Sequence, residues 1–426
     1  MKRWLTGIGA ILIAVSLTGC VFAARRLYTL GVGQGAHHHR AYANHNLEEA
    51  PPLILISIDG FRADYLDRGV TPNLKALANG GVHAERMLPS FPSLTFPNHY
   101  TLVTGLVPDH HGIVNNTFED PGLPDGKFRM GSKAAVTDRK SWGEATPIWV
   151  SAEQQGVKTA TEFWPGSEAA IQGVRPSQFG VFNEAITSDA RVDKVLEWID
   201  LPAEARPQFL TLYFDIVDTA GHHNGPDSPQ VNAAAATVDA AIGRLEAGLK
   251  ARGLEPNLII VADHGMMATP PGHSVYMEDW VDRASFRIVT GDAVAGLVPD
   301  TDATAMRLLA PHPHAACYRK ADIPRHFHYG ANPRIPPIVC IAEAGWLLTT
   351  REREAKSTHP LLGEHGYDPA TPQMGALFIG SGPAFKRGVT LKPFSNVDVY
   401  SLEARLIGVR PEPSDGTLAT FAPALR

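Results

Sequence analysis

The chain has 426 residues, enough for one large domain or two ordinary ones, and its 44% apolar content can fill a sizeable core. A net charge of −6 and a pI near 6.3 leave no basic excess for binding along a nucleic-acid duplex, whose affinity rests on neutralising phosphates. A small phosphate-containing ligand stays open, because a metal ion can supply positive charge locally.

The N-terminus reads as an export signal. Lys2 and Arg3 precede a mostly apolar run from Leu5 to Leu17, and Leu17-Thr-Gly-Cys20 closes it. That ending resembles the bacterial lipobox. The resemblance implies that residues 1–20 are a lipoprotein signal and that Cys20 carries the lipid, on the periplasmic side of a bacterial membrane. A soluble periplasmic protein and an uncleaved anchor are the alternatives, although the apolar run is short for a span. Residues 21–50 lack a period and read as a tether, with His37-His38-His39 as a solvated run. Of the three cysteines, Cys317 and Cys340 remain after Cys20. An oxidising compartment permits a disulfide between them, and two separate buried thiols fit as well.

From residue 51 onward, strands and helices alternate. Pro52–Ile58 is continuous in Leu and Ile, as parallel strands covered on both faces are. Thr71 should cap a short helix that has Pro72 at its first position and Gly80-Gly81 as its stop. Thr95 should cap the next, with Pro97 in its first turn and the helix running on to 105. A helix mouth presents unpaired N–H groups and partial positive charge. It favours an alkoxide there, and the phosphate that the alkoxide would attack. Thr146-Pro147 opens a helix to Gly156, and Val157–Thr161 follows as a strand. A helix over Ser188–Ile199, a strand over Gln208–Phe214, a long Ala-rich helix over Gln230–Arg252 and a strand over Asn257–Ala262 come next. Met374–Gly380 is a further strand and 397–408 a late amphipathic helix. The pattern predicts an α/β fold with a mostly parallel central sheet and helices on both faces. Less regular patterning in 107–145 and 266–345 predicts insertions, including a smaller antiparallel subdomain.

Three of these strands lead to carboxylates: Asp59, Asp218 and the pair Asp263-His264. Ligands bind beyond the carboxyl ends of strands in open α/β sheets. In Asp218-Thr-Ala-Gly-His222 the Gly should permit a tight turn between two donor types, and His365 sits in a Gly-flanked loop. Imidazole with carboxylate suits Zn²⁺, whereas Mg²⁺ and Ca²⁺ favour oxygen alone. Asp59, Asp218, His222, Asp263, His264 and His365 would hold two ions if divided three and three. Such a pair would activate the Thr95 hydroxyl and steady the leaving oxygen of an in-line displacement.

At this point the sequence resembles the nucleotide pyrophosphatase/phosphodiesterases of the alkaline phosphatase superfamily. The resemblance runs from about residue 51 to 415. It rests on Ile58-Asp-Gly-Phe-Arg62, Phe91-Pro-Ser-Leu-Thr-Phe-Pro-Asn-His99, Pro108-Asp-His-His-Gly-Ile113, Trp164-Pro-Gly-Ser167, Asp218-Thr-Ala-Gly-His222, Asp263-His-Gly-Met266, Gly363-Glu-His-Gly-Tyr367 and Asn396-Val-Asp-Val-Tyr400. It implies an alkaline-phosphatase-like fold, residues 51–426 as a two-metal phosphodiesterase domain, and Thr95 as the nucleophile. It implies one zinc on Asp218, His222 and His365, and the other on Asp59, Asp263, His264 and Thr95. Asn116 would donate to a non-bridging phosphate oxygen, Phe96 would stack on the base, and Tyr213 would line the same slot. A second stacking aromatic comes from Pro176–Asn183, where Phe182 is the best match and Phe179 the runner-up. The family more often has a Tyr-rich run there, which leaves substrate preference open. The implied substrate is a small nucleotide diester or pyrophosphate, with no obligate protein partner.

Three neighbouring readings remain for comparison. Sulfatases share the fold but use a Cys or Ser before x-Pro-x-Arg, which Thr95-Phe-Pro-Asn-His lacks. A branch that cleaves choline phospholipids uses the same metal centre with a different pocket, where Phe96 would meet a cation. A non-catalytic zinc- or phosphate-binding lipoprotein would need no nucleophile at Thr95.

Overall fold

Unbroken aliphatic sequence builds the centre of this molecule. The computed structural model describes residues 51–357 and 360–426, so the expected signal and tether, with Cys20, lie outside the described residues. In chain order the main sheet contains β1 (Leu53–Ile58), β2 (Val82–Ala84), β3 (Thr159–Glu162), β4 (Gln178–Phe179), β5 (Phe209–Phe214) and β6 (Asn257–Val261). A separate sheet follows, made of β7 (Phe286–Thr290), β8 (Val294–Pro299), β9 (Ala315–Arg319) and β10 (Ile338–Ala342). The chain then returns to the main sheet with β11 (Phe378–Ser381) and β12 (Val389–Leu391). The helices that matter below are α1 (Pro72–Gly80), α2 (Thr95–Thr104), α3 (Ile148–Gln154), α4 (Ser188–Ile199), α5 (Ile216–Asn224), α6 (Pro229–Ala251), α7 (Arg351–Lys356) and α8 (Val399–Leu406).

The main sheet has the order β12-β2-β11-β6-β1-β5-β3-β4. Its neighbours are parallel except where β11 meets β6 and β2. Every residue of β1, β5 and β6 is buried. Successive side chains point to opposite faces of a strand, so such burial requires cover on both sides. The helices supply it in two groups: α6 packs on α1, α4 and α5, while α2 packs on α3 and α8. The second sheet, β7-β8-β10-β9, is antiparallel throughout and carries its own smaller core around Phe286, Leu297 and Ile338. Cys317 and Cys340 face each other across β9 and β10 and are joined as a disulfide. No helix among the described residues is long and apolar enough to cross a membrane.

Two expectations shift by a few residues. The strand expected over Val157–Thr161 is Thr159–Glu162. The one expected over Met374–Gly380 is Phe378–Ser381, because Pro372–Met374 is a 3-10 turn. Capping departs more instructively. Thr71 precedes α1 but makes no capping bond, and its buried hydroxyl has no partner. The first amides of α1 are instead taken by Asp239 of α6, which accepts from Leu74 N–H at 2.8 Å and Asn73 N–H at 3.2 Å. A charged carboxylate from a packed neighbour replaces the local hydroxyl. Asp239→Ala should therefore cost about 1–3 kcal/mol of stability in urea unfolding, with turnover per folded molecule unchanged.

Candidate active site

The six expected donors converge at the carboxyl ends of β1, β5 and β6. Asp59 follows β1 directly, and Asp263 and His264 follow β6. Asp218 does not end a strand as expected. β5 stops at Phe214, and Asp218 and His222 lie one turn apart on α5, on the same helical face. Gly221 accordingly makes no tight turn. It is helical, and a Cβ there would come within 2.9 Å of Met266 Cε, so its value is close packing. Gly60 does need glycine's freedom. Its φ is +67°, and a Cβ would meet Asp218 Oδ1 at 3.0 Å.

Two adjoining groups of donor atoms result. Asp218 Oδ2 and His222 Nε2 are 3.3 Å apart, His222 Nε2 and His365 Nε2 are 3.2 Å apart, and His365 Nε2 lies 3.7 Å from Asp218 Oδ1. His264 Nε2 lies 2.9 Å from Asp263 Oδ2 and 3.5 Å from Asp59 Oδ1. The rings of His264 and His365 stack at 3.5 Å, which sets the two groups side by side.

Each imidazole is held by its other nitrogen. His222 Nδ1 donates to Gly363 O at 2.8 Å, His264 Nδ1 to Gly265 O at 2.9 Å, and His365 Nδ1 to Ser93 O at 2.9 Å. A carbonyl only accepts, so each Nδ1 carries a proton and each Nε2 is the atom turned toward the cluster. Asp59 Oδ1, Asp218 Oδ1 and Asp263 Oδ2 are buried without hydrogen-bond partners. Ring nitrogens 3.2 Å apart and orphaned carboxylate oxygens fit divalent cations, and the mixed nitrogen and oxygen donors fit zinc. The protein alone balances this charge poorly. Burial lifts the Asp59 carboxyl well above its ordinary range, and Asp263 and Asp218 lift it further. Burial opposes charge on His222, yet Asp218 and Glu364 outweigh it and raise that imidazole to about 10. Burial also pulls His365 down to about 3, helped by His264.

Thr95 stands beside the second group, its Oγ1 3.3 Å from His264 Nε2. It is not the N-cap. Leu94 holds that position, and Thr95 is the first helical residue of α2. The hydroxyl makes no capping bond and is left to face the donors. The capping falls to Asn116, whose Oδ1 accepts from Phe96 N–H at 2.9 Å. With its oxygen engaged, the Asn116 amide has its NH₂ group to offer a ligand, in a cavity that Thr95 also lines.

A cavity of about 480 Å³ opens on the other side of Thr95. Phe96, Phe163, Trp164, Phe182 and Tyr213 line it. Phe96 rests on Phe128 and Trp142, whereas Phe182 rests on Phe163 and Tyr213 and stays 42% exposed at the mouth. Phe179 lies under Arg175 and does not line the cavity, which leaves Phe182 as the second aromatic wall. Arg62, the cation nearest the site in the motifs, is paired with Asp64 at 2.7 Å.

Three contributions were not legible in the sequence. Tyr213 lines the cavity as expected, and what the sequence did not show is that it donates its hydroxyl to Asp59 Oδ2 at 2.6 Å. Ser57 and Asp59 share a face of β1 by parity, but the register that sets Tyr213 beside Ser57 follows only from strand pairing. Buried His99 takes a bond from Ser57 at 2.8 Å, donates to Thr95 O at 2.9 Å, and lies 3.4 Å from Asp263 Oδ2. Both its nitrogens are engaged, so it buttresses the backbone of Thr95. Glu364 is buried, with Oε1 3.7 Å from His365 Nε2, and burial raises its carboxyl to about 7.

Residues 53–368 match the family described as type I phosphodiesterase / nucleotide pyrophosphatase. The chain is 38% identical over 390 residues to an uncharacterized pyrophosphatase/phosphodiesterase of Schizosaccharomyces pombe, covering 88% of this chain and 80% of that one. It is 37% identical to ectonucleotide pyrophosphatase/phosphodiesterase family member 3 of Bos taurus, with 87% of this chain covered. The match spans only 43% of that longer relative. Among solved structures, human ectonucleotide pyrophosphatase/phosphodiesterase 5 superposes with a TM-score of 0.83 at 32% identity, over 88% of this chain and 100% of that chain. The murine protein, in an inactive threonine-to-alanine form in complex with AMP, superposes with a TM-score of 0.83 at 33% identity, again over 88% of this chain and 100% of that chain.

Tyr213→Phe keeps the ring at the cavity wall and removes only the bond to Asp59. Metal affinity, followed by titration of the apo-protein with zinc, should fall by about 10–100-fold.

Proposed function

This chain belongs to the type I phosphodiesterase / nucleotide pyrophosphatase family, and on that premise we propose that it hydrolyses nucleotide phosphodiester or pyrophosphate bonds and releases nucleoside 5′-monophosphates. The observation that carries the reading is the seat of Thr95. Its hydroxyl lies at a helix N-terminus, 3.3 Å from His264 Nε2, with an aromatic-walled cavity beside it.

The nucleoside half enters the aromatic cavity, with its base against Phe96 and Phe182. The Thr95 oxygen attacks phosphorus, and the bond to the leaving oxygen breaks on the opposite side. Asn116 donates to a non-bridging oxygen, and the amides at the mouth of α2 favour the same developing charge. Water then cleaves the phospho-threonine from the face that the leaving group vacated. Asp218, His222 and His365 would hold one zinc, and Asp59, Asp263 and His264 the other, with Thr95 completing it. When bound, the two ions supply the positive charge that lowers the threonine pKa and steadies the leaving oxygen. The AMP held by the murine neighbour supports a nucleotide in this site. Residues 1–20 and 21–50 are proposed as a lipoprotein signal and a tether that hold the enzyme on the periplasmic side of a bacterial membrane.

Thr95→Ala should lose turnover by more than about a thousandfold while keeping its zinc. Near wild-type turnover would refute the nucleophile. Metal analysis of Asp218→Ala and His222→Ala should show less zinc in each. The zinc-loaded enzyme should prefer p-nitrophenyl thymidine 5′-monophosphate over p-nitrophenyl phosphate and p-nitrophenyl phosphorylcholine. Preference for the choline ester would reassign the pocket to a lipid head group. Cys20→Ser should release the protein from the membrane fraction, and unchanged partition would refute the lipid tether.

A further inference from the structure

Thr95 lines two cavities; the first has been given the nucleoside half, and the second, which Asn116, Asp218, His222 and His365 also line, has room beyond them. The second holds about 560 Å³ and shares Thr95, Met130 and Asp218 with the first. Its character is different. Among the described residues no Phe, Tyr or Trp lines it, and its only rings are the imidazoles of His222 and His365. Asn115, Asn116 and Thr117 form one side, and β7, the β7–β8 connection and α7 form the other. Arg283 and Arg353 both reach it.

The two arginines are seated differently. Arg283 donates to Phe286 O at 2.9 Å, and its guanidinium lies 5.2 Å from the Phe286 ring centre. Among the described residues it has no ion-paired carboxylate. Arg353 meets Asp292 at 3.3 Å, with both side chains well exposed to water. The Arg353 guanidinium also lies over Gly291, where a Cβ would collide with its Nη1. The missing side chain at 291 is thus the seat of the arginine head. The other two acids that line it, Asp218 and Glu364, are turned toward His222 and His365.

In-line displacement puts the nucleophile and the leaving group on opposite sides of phosphorus, so the two halves of a diester need separate spaces. The aromatic cavity suits a base. The polar cavity, with two guanidinium groups, suits an oxyanion-bearing group, because arginine matches phosphate geometry with paired donors. Resting on the function proposed above, we infer that this second cavity is the leaving-group subsite and that Arg283 and Arg353 make it select leaving groups that carry phosphate. An incoming phosphate would exchange the water-exposed Asp292 for a closer partner of Arg353. Pyrophosphate from a nucleoside triphosphate and the second nucleotide of a dinucleoside pyrophosphate share this chemistry.

The test keeps the nucleoside half constant. kcat/KM is measured for thymidine 5′-triphosphate, for a dithymidine polyphosphate and for p-nitrophenyl thymidine 5′-monophosphate, whose leaving group has no phosphate. In Arg283→Gln/Arg353→Gln the ratio of either phosphate-bearing substrate to the nitrophenyl ester should fall at least about tenfold from wild type. Gly291→Ala displaces the Arg353 head without removing its charge, and should lower the same ratio part of the way. A fall confined to the triphosphate assigns the site to bare pyrophosphate, and a fall for both extends it to a second nucleotide. Unchanged ratios in both variants overturn the subsite and leave the proposed reaction standing. A wild-type enzyme that turns over none of the three substrates overturns the reaction, and the subsite with it.

Discussion

Three carboxylates and three imidazoles share a space a few ångströms across, and most of the structure around them serves to keep them there. Like charges so close would part or protonate in water. Here Asp59, Asp263 and His264 are almost wholly buried and anchored to strand ends. Asp218 and His222 are fixed by one turn of α5. Backbone carbonyls of Gly363, Gly265 and Ser93 hold the three rings with Nε2 inward. The fold thus pre-organises a set of donors that a cation would hold in place of protons, which would link metal binding to native structure.

Helix α2 meets this cluster with its mouth. A side chain at the N-cap position usually spends its oxygen on the helix amides. Thr95 sits one residue further in, and Asn116 satisfies Phe96 N–H instead. Capping from a distant residue frees the hydroxyl for chemistry and aims an amide donor at the cavity in one arrangement. His99 completes the support by holding the Thr95 carbonyl from below. The same device recurs at α1, where Asp239 caps from α6 and Thr71 does not.

The inserted antiparallel sheet gains a purpose from this geometry. The strand ends of the main sheet and α5 carry most of the candidate metal donors, and Tyr213 of β5 adds part of the aromatic wall. β7 and the connection to β8 supply the opposite, polar wall. Thr95 lines both cavities, and on the proposed function the aromatic one takes the nucleoside half and the polar one the leaving group.

How much of this was legible in the sequence depended on how far apart the interacting residues lie. Buried aliphatic strands, the helices between them and the donors that follow each strand are local patterns, and they led to Asp59, Asp218, His222, Asp263, His264, His365 and Thr95. The Tyr213 bond to Asp59 spans 154 positions and depends on pairing register. The capping of α1 by Asp239 depends on helix packing, and the approach of Arg283 and Arg353 depends on where the insertion folds back. The α/β alternation and the candidate donors could be read from the chain alone, because periodicity and side-chain chemistry are written residue by residue. Which hydroxyl is free, which amide is spent and which arginines share a cavity emerged with folding, because those outcomes are set by contacts between segments that the chain order keeps apart.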